Sequence, residues 1–92
     1  MTEERMREKV EGLLIECIGD DQFLQAEDYE DLDLFDEYFL DMYALVDIVV
    51  AIRREFAIDI SPTQVEREDV SSVAKVMSLV EGYLTDDPTD DV

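Results

Sequence analysis

The chain has 92 residues, of which 47% are hydrophobic, and its 26 acidic and 7 basic side chains give a net charge of −19. This length allows one domain, whose apolar core must outweigh the repulsion among the acids. The charge argues against nucleic acid as a partner, because phosphate contacts need Lys or Arg, and it favours basic protein surfaces instead.

The N-terminal stretch gives no sign of export or membrane insertion. The chain has no apolar run near the roughly 20 residues of a membrane span. Its start, MTEERMREKV, is charged where a signal peptide turns apolar. We therefore expect a cytoplasmic location and no membrane insertion. The single Cys17 cannot form an intramolecular disulfide, and its helical spacing predicts a small core residue rather than a nucleophile.

A helical repeat of apolar residues predicts a first helix over residues 3–18. Thr2 is suited to cap its start, and Gly19 can take the left-handed conformation that ends such a helix. The apolar positions of this helix are Met6, Val10, Leu13, Leu14, Cys17 and Ile18. Residues 20–40 keep no period and predict a long loop held to the core by Phe23, Leu24, Leu32, Leu34, Phe35, Phe39 and Leu40.

Asp41 is a good cap for a second helix that runs through Phe56. Its buried stripe is predicted to consist of Leu45, Ile48, Val49, Ile52 and Phe56. A second apolar stripe beside it contains Met42, Tyr43, Val46 and Val50. Bordered by Asp47 and the acids of the loop, this stripe has the composition of an exposed docking patch. The alternative is that Tyr43 or Val50 packs under the long loop.

The last third of the chain predicts two further helices. Pro62 suits the first turn of a short helix over 62–67, following Ser61. Ser71 or Ser72 can cap a last helix whose apolar positions are Val73, Val76, Met77, Val80 and Leu84. The acidic segment 85–92 predicts a disordered tail. The fold class is therefore all-α, a small bundle of three main helices plus one short helix, with the domain over residues 1–84.

The residue inventory argues against an enzyme. The chain has no His, which removes the usual general base, and one Cys cannot build a thiolate metal site. Asp31 and Asp33 fit the first two places of a calcium-binding loop, but Phe35, Asp36 and Met42 occupy later places where that loop needs an acid or amide, Gly and Glu. We predict no catalytic residues and no metal site.

Three segments together resemble the acyl and peptidyl carrier protein family, and most closely its D-alanyl carrier proteins. They are DLFDEYFLDM at 33–42, VDIVVAIRREFAIDISP at 46–62 and SSVAKVMSLVEGYL at 71–84. The resemblance implies a helical bundle and 4′-phosphopantetheine attached to a Ser directly after the Asp of the first motif. Met42 occupies that place, and its thioether has no hydroxyl to modify. Tyr38 stands where the family usually has Gly.

The resemblance implies a carrier homologue that docks an adenylating ligase or an acyltransferase but, with Met42, carries no cofactor. We expect a monomer whose docking residues are Met42, Tyr43, Val46, Asp47, Val50, Arg53 and Arg54. One alternative is an ordinary D-alanyl or acyl carrier in which the attachment Ser at position 42 has been replaced. Another is an acidic adaptor unrelated to acyl chemistry.

Overall fold

The computed structural model describes residues 2–85. Over this range the chain contains no strand and four α-helices, which are α1 (Glu3–Ile18), α2 (Leu34–Glu37), α3 (Met42–Phe56) and α4 (Val73–Thr85). The predicted all-α fold with three long helices is confirmed, and α1 packs against both α3 and α4. None of the helices within residues 2–85 combines the length and the apolar character needed to cross a bilayer.

The long helices begin where their capping residues predict. The side chains of Thr2, Asp41 and Ser72 each accept a hydrogen bond from the backbone N–H three residues later, at 3.2 Å in all three cases. Gly19 ends α1 in the left-handed conformation (φ 81°), and its N–H donates to the carbonyl of Ile15. Of the two serines proposed for α4, Ser72 is therefore the cap.

The core forms where the apolar stripes of the three long helices meet. The fully or nearly fully buried side chains of these helices are Met6, Val10, Leu13, Leu14, Leu45, Ile48, Val49, Ala51, Ile52, Phe56, Val73, Val76, Met77 and Val80. Cys17, Ile18 and Leu84 pack against this core but are only partly buried. The predicted stripes are thus confirmed, with their end positions at the rim of the core.

The first loop is more ordered than its sequence predicts. It contains two 3₁₀ turns (Gln22–Gln25 and Tyr29–Asp31) as well as α2, and the backbone N–H of Leu34 donates to the carbonyl of Ser71 at 2.7 Å. Among the side chains predicted to hold the loop, Phe23, Leu34 and Phe35 are buried, and Leu24, Leu32 and Leu40 pack partly against the core.

Phe39 is the exception, and the prediction that it holds the loop to the core was wrong. Its side chain is 91% exposed. The backbone at Phe39 is left-handed (φ 54°), and it is the preceding Tyr38 that packs against the core. The ring of Tyr38 meets that of Phe23 edge to face, with 6.4 Å between the ring centroids.

The prediction of one short helix over 62–67 was also wrong, because residues 62–70 form two separate 3₁₀ turns instead. The first is Pro62–Gln64 and the second is Arg67–Val70. Val65 lies between them with extended backbone (φ −120°, ψ 133°) and a buried side chain. Burying Val65 interrupts the helix, and each turn is capped on its own.

The last helix ends at the last residue that the structure describes. Helix α4 includes Thr85. The rest of the predicted tail, residues 86–92, lies outside the described residues, as does Met1.

Candidate functional site

The candidate site is built around the first turn of α3. Asp41 precedes the helix with extended backbone, and its carboxylate accepts a hydrogen bond from the N–H of Ala44 at 3.2 Å. Met42 is the first helical residue, and its side chain is 76% exposed. Because the cap fixes the start of the helix, it also fixes Met42 at the surface where the preceding turn ends.

The turn that leads to Asp41 is a helix C-cap. The N–H of Leu40 donates to the carbonyl of Phe35 at 2.9 Å, and Phe39 between them is left-handed. This six-to-one hydrogen bond with a left-handed residue is the Schellman arrangement, which usually has Gly at the left-handed position. Phe39 holds that position here, so a large aromatic ring projects into solvent three residues before Met42.

Helix α3 exposes an apolar face toward solvent. The seven predicted docking residues are Met42, Tyr43, Val46, Asp47, Val50, Arg53 and Arg54, and we call this set the outer face. At about 100° per residue these positions span an arc of roughly 140° on the side opposite the buried stripe. Every one of these residues is exposed.

The outer face concentrates exposed apolar surface. Tyr43 is 82% exposed, and Val46 and Val50 are 37% and 43% exposed, so the first loop covers neither Tyr43 nor Val50. Together with Phe39 and Met42 they are five of the six large exposed apolar side chains in the described part of the chain. Such clustering on a small protein is typical of an interaction surface.

Charge changes sign along α3, from the cap that precedes the outer face to the last turn. Asp41 and Asp47 lie toward its start, whereas Arg53 and Arg54 lie in its last turn. Neither arginine forms an ion pair with another residue between 2 and 85. The face is therefore acidic at one end and basic at the other, with apolar side chains between.

Cys17 lies beside this helix and is only partly buried. Burial raises the pKa of its thiol, and the charges of Asp47 and Glu16 raise it further, while Arg54 lowers it. The neutral thiol is thus favoured in the folded protein.

A groove of about 810 Å³ runs beside the outer face, between the start of α3 and the segment 62–67. Its apolar lining includes Phe35, Leu40, Leu45 and Val65, and Met42 and Val46 form the edge that it shares with the outer face. No motif or apolar repeat in the sequence predicts this groove. Val65, a lone apolar residue in a polar segment, was the only local sign of it.

Arg67 is one of the residues that line the groove. Its guanidinium lies 3.8 Å from the carboxylate of Asp33 and 5.6 Å from the centre of the Phe35 ring. These contacts tie the second 3₁₀ turn to the start of α2. They therefore position the Arg67 side chain at the groove.

The serine hydroxyl groups of the chain do not replace a hydroxyl at position 42. Ser61 and Ser72 accept hydrogen bonds from backbone N–H groups, and Ser71 donates to the carbonyl of Glu68. Ser78 lies within α4, far along the chain from Met42. No group of three or more potential metal ligands comes together within residues 2–85.

Comparison with curated proteins identifies the family. The D-alanyl carrier proteins of Lactococcus lactis subsp. cremoris strains MG1363 and SK11 and of subsp. lactis strain IL1403 are each 30% identical to this chain over 76 residues. These residues cover 83% of this chain and 92% of each relative. The chain belongs to the D-alanyl carrier protein family. No family model matches the sequence, and no solved structure matches it.

The resemblance to carrier proteins implies a role for the residue that begins α3. In the resemblance described above, the residue after the motif's Asp carries phosphopantetheine through a serine oxygen. Met42 follows Asp41 in this chain and offers a thioether, which has neither an acidic proton nor an oxygen nucleophile. A thioether cannot form the phosphodiester through which a serine oxygen carries phosphopantetheine.

Proposed function

We propose that this chain is a carrier-type protein that docks enzymes of aminoacyl or acyl activation through the outer face but does not hold a thioester itself. Met42 carries the proposal, because an exposed apolar side chain stands where the family's attachment serine is expected. The chain is then a binding module and not an enzyme. Its partner is an adenylating ligase or an acyltransferase, which it meets as a monomer in the cytoplasm.

The exposed apolar cluster supports docking. Tyr43, Val46 and Val50 are an amphipathic ring and two branched side chains on a rigid helix, which lose little conformational freedom when a partner covers them. Asp41 and Asp47 supply a negative rim that suits a basic partner surface. With phosphopantetheine absent, such a chain occupies the docking site of a carrier without delivering substrate.

The absence of attachment is tested by intact mass spectrometry. After incubation with coenzyme A and a broad-specificity phosphopantetheinyl transferase, the protein is expected to keep its unmodified mass. The variant Met42→Ser should gain one phosphopantetheine unit, because position 42 is exposed and begins a helix that its cap holds in place. A mass gain in the unsubstituted protein would place the arm elsewhere and contradict the proposal.

Docking is tested with a purified D-alanine-activating adenylating ligase. Val46→Asp should abolish binding and change the free energy of unfolding by no more than about 0.5 kcal/mol, since Val46 is exposed. The matched control is Val49→Asp, which places a charge at a fully buried position and should unfold the domain. Equal destabilisation by the two variants would show that Val46 serves packing rather than docking.

A second candidate follows from membership in the D-alanyl carrier family. The chain is then an ordinary D-alanyl or acyl carrier in which Met has replaced the attachment Ser at position 42. In that case the natural gene encodes Ser at codon 42. The Met42→Ser variant, once it carries phosphopantetheine, should then accept D-alanine from the ligase. Binding to neither a ligase nor an acyltransferase would instead favour an acidic adaptor.

A further inference from the structure

The basic end of the outer face is unusual for so acidic a chain. Of the 7 basic side chains, Arg7, Lys9 and Arg67 form ion pairs with acids among the described residues. Arg53 and Arg54 are adjacent and exposed, and neither forms an ion pair within residues 2–85. Their fixed positive charge is thus available to a partner.

The surface next to the two arginines is a shallow depression open to solvent. An open hollow at the end of α3 is bordered by Val50, Arg53, Arg54, Ala57, Ile58 and Asp59. The left-handed backbone of Ala57 (φ 54°) ends the helix there and turns the chain away. Two guanidinium groups therefore border a shallow surface together with apolar side chains and one carboxylate, that of Asp59.

The acidic and basic ends of the outer face are close enough for one partner protein to cover both. From Met42 to Arg54 the helix rises by about 18 Å, at roughly 1.5 Å per residue. One side of a typical protein interface buries about 800 Å², which corresponds to a patch wider than this distance. A partner that covers Tyr43, Val46 and Val50 therefore reaches both the acidic and the basic end.

We infer that the outer face fits a protein surface of two signs, with basic residues opposite Asp41 and Asp47 and a carboxylate pair opposite Arg53 and Arg54. Guanidinium groups match carboxylates through paired N–H donors, so acidic side chains are the suitable chemistry for the second end. A uniformly basic surface would meet like charge there and be disfavoured. The inference rests on the proposed docking function and adds the orientation of the partner.

The structural alternative is that the arginines serve only the helix. Cations in the last turn interact favourably with the partial negative charge at a helix C-terminus. That role would change the stability of the fold and leave the affinity for a partner unaffected. Affinity and stability must therefore both be measured on the same variants.

The decisive experiment measures binding of a purified D-alanine-activating ligase to the full chain by titration calorimetry. Arg53→Glu combined with Arg54→Glu should weaken binding at least about tenfold, because like charges then face each other at the interface. The matched control is Arg5→Glu combined with Lys75→Glu, at exposed positions on α1 and α4 that form no ion pair within residues 2–85. It makes the same change in net charge and should weaken binding by less than about threefold.

The possible outcomes separate this inference from the docking proposal. If both double variants lose affinity equally, only net charge matters and the inference is overturned. An unchanged affinity of the Arg53→Glu, Arg54→Glu variant overturns it too, and docking stands if Val46→Asp still abolishes binding. If the unsubstituted chain binds neither this ligase nor an acyltransferase in the same titration, the proposed function fails and the inference fails with it. Thermal unfolding of both double variants checks that each remains folded at the temperature of the titration.

Discussion

At the scale of single residues, the turn before α3 contains one residue in a strained backbone conformation, next to the candidate site. Phe39 occupies the left-handed position of the α2 C-cap, where an L side chain crowds its own backbone and Gly does not. Tyr38, one residue earlier, has an ordinary conformation (φ −108°) and packs its ring against Phe23. The backbone conformation that favours Gly is therefore found at position 39. The family resemblance instead places the usual Gly at position 38, which is Tyr38 in this chain.

Phe39→Gly is expected to raise the free energy of unfolding by about 0.5–1 kcal/mol. Gly removes the left-handed strain, and the exposed ring gives up almost no burial. Urea unfolding measures the change. Tyr38→Gly is the control, and it should lower the free energy of unfolding because it removes a ring that packs against the core. If both variants are destabilised alike, Phe39 is not strained in the folded protein.

At the scale of secondary-structure elements, the first loop is fastened to α1 by polar contacts. The hydroxyl of Tyr29 donates to the carboxylate of Glu11 at 2.6 Å, and the guanidinium of Arg7 lies 3.0 Å from the carboxylate of Glu30. The hydrogen bond to Glu11, helped by desolvation, raises the pKa of the Tyr29 phenol above its ordinary value. The neutral phenol is therefore favoured in the folded state.

Tyr29→Phe should lower the free energy of unfolding by about 1 kcal/mol at neutral pH, because it deletes one hydrogen bond to a charged group. A pKa raised on folding gives stability that is fully present below the unfolded value, near 10 for Tyr, and is lost as pH rises through the folded value. The difference between wild type and variant should thus disappear at alkaline pH.

Chemical unfolding at pH 7 and at successive pH values above 10 measures this difference. Tyr83→Phe is the matched control, since Tyr83 is exposed and its hydroxyl makes no hydrogen bond within the described residues. A wild-type advantage over Tyr29→Phe that persists unchanged at high pH would mean that the phenol stabilises the loop through packing alone.

At the scale of the whole molecule, the excess of acidic side chains is the main electrostatic influence on the stability of the fold. A net charge of −19 is opposed by few ion pairs, and those within residues 2–85 involve Arg7, Lys9 and Arg67. Most acidic side chains therefore repel one another across solvent. This repulsion is long-ranged at low salt and is screened within about 10 Å at 0.1 M ionic strength.

The thermal midpoint is expected to rise by several degrees between about 0.01 M and 0.5 M sodium chloride, as screening weakens the repulsion. Magnesium chloride at equal ionic strength should act similarly, because no group of three or more metal-ligating side chains comes together in residues 2–85. Calorimetry in both salts measures the two shifts. A midpoint that does not move would mean that the charges have little effect on folding, and a much larger shift with magnesium would reveal a specific site.

The three long helices and their buried stripes follow from local patterns in the sequence. Thr2 and Asp41 cap helices through hydrogen bonds that span three residues, and the apolar period of α3 repeats over three or four residues. Interactions this short are visible in the order of residues along the chain. The same holds for Met42, whose place directly after a helix cap is a local fact.

Which side chains of the loops meet the core depends on contacts between distant parts of the chain. Tyr38 turns inward because Phe23, fifteen residues earlier in the chain, offers its ring, and Phe39 then turns outward with left-handed backbone. Val65 becomes buried and divides the segment 62–67 because that part of the chain lies across the start of α3. Such choices depend on packing between residues distant in sequence, so no local period or cap reveals them.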